Sequence, residues 1–276
     1  MSWWCSAQGV PWEWTWRPYP GVWAFVLLLV VGYAFGLRAL RRRGEHASRG
    51  RIVSFTAGIL VLWIASDWPI GALGAGYLVS VHTVQYLLFV MAAAPLLLHG
   101  LPTPLLRTIT TPGPLRASAR AANRPLVAFL VFNVVMLGTH LPPVVDGLGE
   151  TQLGTFAIDM AWLVSGLFFW WPVLAPLPEL GALPHPGRIL YLVLNVFIPT
   201  VPASFLTFAD YPLYALYELS PPIEGISAVT DQRVAGLLMK VVGGFTIFGA
   251  ASVLFYKWYM GEREEGGEVI AAPMRR

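Results

Sequence analysis

Three polar side chains, His82, Gln85 and Tyr86, open the otherwise apolar stretch VHTVQYLLFVMAAAPLLLHG at 81–100. Their i, i+3 and i+4 spacing puts them on one face of a helix. An ionisable residue in so apolar a stretch costs about 2.5–3.5 kcal/mol to place in a bilayer and is a functional hypothesis by default. Comparable groups punctuate other apolar stretches: His140 in GTHLPP, Asp159 in FAIDMAWL, and Asp231, Gln232, Met239 and Lys240 in DQRVAGLLMK. Imidazole, thioether and carboxylate together ligate copper, and soft sulfur favours Cu(I). Met91, Met136, Met160 and Met239 share stretches with the polar groups. The competing reading is a polar network that glues helices, with His82 bonded to Tyr86, Asp159 or a backbone carbonyl. The methionines are then ordinary packing residues. No phosphate-cradling loop, CxxC, HExxH or GxSxG motif occurs, and no nucleophile stands with a base, so an enzyme is not expected.

The elements that must hold these groups follow from composition. Of the 276 residues, 56% are hydrophobic and 12% charged, about half the charge of a soluble domain at roughly 25%. With a mean hydropathy of +0.62, the chain reads as an all-α, polytopic integral membrane bundle in the lipid bilayer. Seven apolar windows qualify as spans, at about 21–39, 52–68, 72–98, 125–140, 153–174, 188–209 and 232–259. The expected organisation is an aromatic interfacial segment at 1–20, a membrane domain at 21–259 and a cytoplasmic tail at 260–276. The first residues lack the basic start and cleavage pattern of a signal peptide. Cys5, the single cysteine, reads as an incidental thiol. Gly32 and Gly36 offer a GxxxG packing pair in the first span.

Charge bias orients the bundle. Arg38, Arg41, Arg42, Arg43, Arg49 and Arg51 crowd the first loop, Arg107, Arg116, Arg120 and Arg124 the third, and Lys257, Arg263, Arg275 and Arg276 the C-terminal end. The opposite loops hold Glu13, Asp67, Asp146, Glu150, Asp210, Glu218, Glu224 and Asp231. The N-terminus is therefore expected outside and the C-terminus in the cytoplasm. The arginines are topology determinants, and no nucleic acid is expected as a partner. On this frame His82 lies about 15 Å below the outer boundary and Asp159 about 9 Å, while His140 closes its span at the outer surface. Tyr211, Tyr214 and Tyr217 form either a docking surface or an aromatic interface belt. The WWP at 170–172 anchors the cytoplasmic end of the fifth span.

The sequence resembles the CtaG family of bacterial cytochrome c oxidase assembly factors. The resemblance is carried by HTVQYLLFVMAAAPLLLHGLP (82–102), THLPPVVD (139–146), SGLFFWWPVLAPLPE (165–179), ADYPLYALYE (209–218) and DQRVAGLLMKVVGG (231–244). It implies a multi-pass protein of the bacterial plasma membrane that meets cytochrome c oxidase subunits and handles copper at the outer face. His82 and Gln85 then match the family's His-x-x-Gln-His pattern, and His140 its Thr-His-Leu-Pro segment. Asp231, Gln232 and Met239 match the opening of the last span. The implied metal set is His82, His140 and Met239, within a polar network of Gln85, Tyr86, Asp159, Asp231, Gln232 and Lys240. Three positions depart from the family's pattern: Tyr86 replaces its second His, Asp159 another His, and Lys240 a Trp. An Asp159–Lys240 ion pair filling the metal's place is expected from these departures. Two other readings stand beside copper handling: a metal-free scaffold for oxidase assembly, and an ion- or proton-conducting transporter.

Overall fold

The computed structural model describes residues 2–223 and 225–271. In chain order the helices are α1 (Pro20–Arg42), α2 (Arg49–Ser66), α3 (Ile70–Gly76), α4 (Val79–Leu87), a π-helical turn (Leu88–Ala93), α5 (Ala94–Gly100), α6 (Thr103–Ile109), α7 (Gly113–Ala122), α8 (Pro125–Thr139), α9 (Pro142–Gly149), α10 (Gln152–Leu174), α11 (His185–Phe208), α12 (Ala215–Glu218) and α13 (Ala228–Ala271). No strand interrupts them among the described residues. Local chemistry sets the starts. Proline, whose missing N–H is unneeded in a first turn, opens α1, α8 and α9. Ser48 caps α2 by accepting from the Arg51 amide at 3.4 Å, and Thr151 caps α10 by accepting from Gly154 at 3.0 Å.

Among the described residues six helices are long and apolar enough to cross a membrane: α1, α2, the continuous run Val79–Gly100, α10, α11 and residues Ala228–Arg263 of α13. The remaining expected window, 125–140, holds α8. Its 15 residues reach about 22 Å, short of a hydrocarbon core of about 30 Å, and α7 meets it at a bend of 94°. The most apolar 18-residue stretch of the run Val79–Gly100 is 61% buried, against 6% for that of α1. The former is the central post, packed on α2, α10 and α13, and the latter is peripheral.

Several expectations change in the fold. The third span does not begin near Ala72: the glycine-rich IGALGAG forms the separate helix α3, and the chain turns at Tyr77 and Leu78. Glycine is a poor helix former, and Gly74 is needed here. A Cβ on it would stand 2.8 Å from Gln85 Oε1 and 3.1 Å from the His82 amide nitrogen. His82 therefore lies one turn into its span. Gly32 and Gly36 do not act as a pair. Gly36 admits Leu105 of α6, whose Cδ2 would stand 2.7 Å from a Cβ, while Gly32 faces nothing within 4 Å. Residues 260–271 of the expected tail continue α13 as helix, running past the apolar stretch that ends at Arg263. Arg275, Arg276 and Glu224 lie outside the described residues.

Residues 3–10 of the expected interfacial segment pack onto the bundle. The Trp3 and Trp4 amides donate to Gln152 Oε1, Thr155 Oγ1 donates to the Cys5 carbonyl at 2.6 Å, and Tyr77 donates to the Val10 carbonyl. Trp4 is wholly buried, and Cys5 is buried with Sγ 3.2 Å from the Ser66 carbonyl. The WWP rings are also internal: Trp170 and Trp171 are buried, and the helix runs past Pro172 to Leu174.

Basic groups collect at one end of the bundle. There Arg51 donates to the Leu101 carbonyl and Tyr33 to that of Gly100. Arg107 grips Glu179 through two hydrogen bonds of 2.7 and 3.0 Å. That grip lowers the Glu179 carboxyl to about 2, although so exposed a pair adds little stability. The other end, made by residues 2–19, 67–78, 140–151 and 209–230, carries the candidate site.

Candidate functional site

The site is built around Trp162 of α10, whose indole donates to Thr139 Oγ1 at 2.9 Å. Thr139 in turn donates to the Val135 carbonyl, so the ring's position is fixed from α8. His82 stands edge-on to Trp162 with centroids 4.8 Å apart, and 5.9 Å from Tyr217. Tyr86, one turn further along the same helix, packs edge-on against Trp162 at 5.4 Å and against His140 at 5.1 Å.

His140 is not superficial. It is buried at the C-terminal end of α8, because the chain folds back over it and Tyr214 donates to its carbonyl at 3.0 Å. Its Nδ1 lies 2.7 Å from the Met136 carbonyl. A carbonyl only accepts, so the proton sits on Nδ1 and Nε2 carries the free lone pair. Backbone bonding of one ring nitrogen is how proteins set a histidine to ligate through the other. His140 Nε2, both ring nitrogens of His82 and the Tyr86 hydroxyl are all buried without a hydrogen-bond partner among the described residues. A buried orphan costs about 1–3 kcal/mol, so four on three neighbouring residues call for a reason.

Asp159 does not pair with Lys240. Its Oδ2 accepts from the Trp4 indole at 2.8 Å and its Oδ1 from Gln85 Nε2 at 3.3 Å. A small cavity of about 10 Å³ lies among His82, Gln85, Asp159, Cys5 and Tyr217, about the room one water needs. Tyr217 closes it by donating to the Gly74 carbonyl at 2.5 Å. With Tyr214 and Tyr217 buried in these roles, only Tyr211 of the three tyrosines is exposed.

Asp231 and Gln232 are fasteners. Asp231 accepts from the Ser80 amide at 3.2 Å and from its hydroxyl, joining α13 to α4. Gln232 accepts from the Leu213 amide at 2.7 Å and donates to the Leu206 and Tyr211 carbonyls. Met239 and Lys240 stand elsewhere. They line, with Tyr86 and Met91, a second cavity that neither histidine lines, and Lys240 is exposed. The predicted residues thus divide into a core of His82, Gln85, Tyr86, His140 and Asp159, two fasteners, and a separate pair. Among the described residues no three His, Cys, Asp or Glu side chains converge as a metal site.

The sequence reading missed Trp4, Thr139 and Trp162, and it gave Tyr214 and Tyr217 to a docking surface or an interface belt rather than to the site. Trp162 was findable, three residues beyond Asp159 on the same helix. Trp4 was not, since 155 residues separate it from the carboxylate it serves.

Comparison with known proteins bears on the whole of this arrangement. Uncharacterized proteins of Mycobacterium bovis and Mycobacterium tuberculosis are each 28% identical to the chain over 189 residues, and one of Mycobacterium leprae is 26% identical. Each match covers 63% of this chain but only 28% of the relative. The chain therefore corresponds to a minor part of those longer proteins. No solved structure matches it. The family model described as cytochrome c oxidase caa3 assembly factor, Caa3_CtaG, matches residues 31–260. That range takes in every helix of the site from α4 to α13, and the chain belongs to this family of oxidase assembly factors.

Proposed function

We propose that the protein assists assembly of cytochrome c oxidase in the bacterial plasma membrane by holding a copper ion transiently between His82 and His140. The observation that carries the reading is the set of unpartnered imidazole nitrogens around Trp162. Neutral imidazole suits copper, and the Met136 carbonyl has already turned His140 Nε2 outward as a lone-pair donor. Copper is cargo here, received and released at the histidine end, which the charge bias assigns to the outer face. Met239 falls outside this pair because it shares only the neighbouring cavity with Tyr86. The partner is the oxidase itself, and the role is that of an assembly factor rather than a catalyst.

The test is copper content after anaerobic Cu(I) loading of the purified, detergent-solubilised chain. Near-stoichiometric metal is expected, lost in His82→Ala and in His140→Ala and kept in Met239→Leu. Copper retained in both histidine variants would place the ion elsewhere. No copper in any form would leave the metal-free scaffold. That second reading draws on the two-histidine donor set and on the Asp159 carboxylate being taken by Trp4 and Gln85.

A further inference from the structure

The crevice between α4, α11 and α13 has a cation and no anion. Its volume is about 230 Å³, and it is lined mainly by apolar groups, with Tyr86, Thr200 and Lys240 as the polar ones. The Thr200 hydroxyl is spent on the Val196 carbonyl at 2.9 Å, whereas the Tyr86 hydroxyl has no partner among the described residues. Lys240 is exposed, and no carboxylate lines the crevice. The ion pairs among the described residues are Arg107–Glu179 and Arg233–Asp210, neither of them near it. Asp159 and Asp231 are each engaged by other groups.

Depth makes this unusual. Asp231 is fastened to Ser80, beside the first residue of the run Val79–Gly100, whose 22 residues are long enough to cross the core. Lys240 lies about 14 Å further along α13, near the middle of a core about 30 Å thick. A charged side chain at that level normally faces the bundle interior or a paired group. Among the described residues no carboxylate pairs with it.

We propose that the Lys240 face of α13 docks a transmembrane helix of a partner protein, whose single Asp or Glu carboxylate enters the crevice and pairs with Lys240. Lipid is the weaker occupant. Phosphate and free carboxylate headgroups sit at the membrane surface, about 15 Å from mid-core, whereas snorkelling serves lysines near helix ends. A helix carries its carboxylate to that depth. The surface suits a helix as well. Gly243 and Gly244 line the crevice one turn beyond Lys240, Gly244 has nothing within 4 Å of a Cβ position, and Leu237, Val241, Phe245 and Phe248 stand exposed around it. Small residues let helix backbones approach closely in a membrane, where packing rather than water drives association. The proposal rests on the membrane reading of the bundle and not on the copper site, so either can fail without the other.

The test reconstitutes the full chain in phosphatidylcholine vesicles with a synthetic Leu/Ala transmembrane peptide. The peptide carries one central Glu and a diazirine-bearing leucine beside it, and its twin carries Gln. Photo-cross-links are mapped by mass spectrometry. The Glu peptide should label residues 237–248 about ten-fold more than its twin, and the difference should vanish in Lys240→Met. Lys240→Glu should reverse the preference toward a peptide bearing a central Lys. Because residue 240 is exposed, Lys240→Met should unfold at least as high in temperature as the parent, which separates lost docking from lost folding. Equal labelling by the Glu and Gln peptides, or a preference that survives Lys240→Met, overturns the proposal. So does Lys240-dependent binding of oleate with no cross-link from either peptide, which would make the crevice an amphiphile site.

Discussion

The Asp159 carboxylate receives one N–H from Trp4 and one from Gln85, so its two oxygens join the N-terminal segment to the central post. Asparagine keeps the shape but has one accepting oxygen, and its amide would oppose a donor at the other position. Asp159→Asn should therefore cost about 1–3 kcal/mol, the penalty of a buried polar group left unpaired, in denaturant titrations in mixed micelles. In a Trp4→Phe background the same change should cost less, with a coupling of about 0.5–3 kcal/mol between contacting residues. Strictly additive losses would mean that the contact does not hold the segment. This residue also marks how far side-chain chemistry could be read from the sequence. Helical spacing placed His82, Gln85 and Tyr86 together because that relation is local. The expected Asp159–Lys240 pair failed because opposite charge was the only partner visible nearby, whereas the real donor is an indole far away in the chain and carries no local signal.

At the scale of elements, the central post is interrupted by the π-helical turn Leu88–Ala93 just before Pro95. The turn widens the helix so that Ala94 N–H bonds the Phe89 carbonyl. By the same register the Val90 carbonyl would accept from residue 95, which is proline and has no N–H. The Trp170 indole fills that place at 2.8 Å. An unsatisfied carbonyl is costly where no water reaches, so Trp170→Phe should destabilise the bundle by about 1–3 kcal/mol. In a Pro95→Ala background, where an amide becomes available, the loss should shrink. An unchanged loss would assign Trp170 to packing alone. The helices themselves were legible, since length and apolarity locate α1, α2, α10, α11 and the start of α13 within a few residues, although α13 runs on as helix to Ala271. The break at Tyr77, the π turn and the inward-facing Trp170 were not. Each depends on which neighbouring helix supplies a partner for the backbone, and hydropathy does not record that. Trp170 and Trp171 resemble membrane anchors in sequence for the same reason: an indole serves an interface or a buried carbonyl equally well.

The whole molecule has two chemically different ends, and the proposed function depends on which faces out. One end carries Arg41, Arg42, Arg43, Arg107, Arg116, Arg120 and Arg124, while the other carries the histidines under the N-terminal segment and the 209–230 connection. Basic residues hold their loops in the cytoplasm, so the histidine end should face outward, where a copper ion would be exchanged with a protein on that side. Segregation of charge was readable from the loops alone, because alternate connections of a bundle fall on alternate ends. The covering of the site was not, since it is made by residues 5–10 and by Tyr214 and Tyr217 from distant stretches. A membrane-impermeant maleimide applied to intact cells tests the orientation directly. Leu219→Cys, exposed at the histidine end, should label, and Arg116→Cys, exposed at the arginine end, should label only after the membrane is opened. Cys5 is buried with its sulfur against the Ser66 carbonyl and should stay silent in both. The reverse pattern would put His82 and His140 beside the cytoplasm. Copper exchange at the outer face would then be untenable even if both imidazoles bound the ion, while docking at Lys240, near mid-core, would be unaffected by which end faces out.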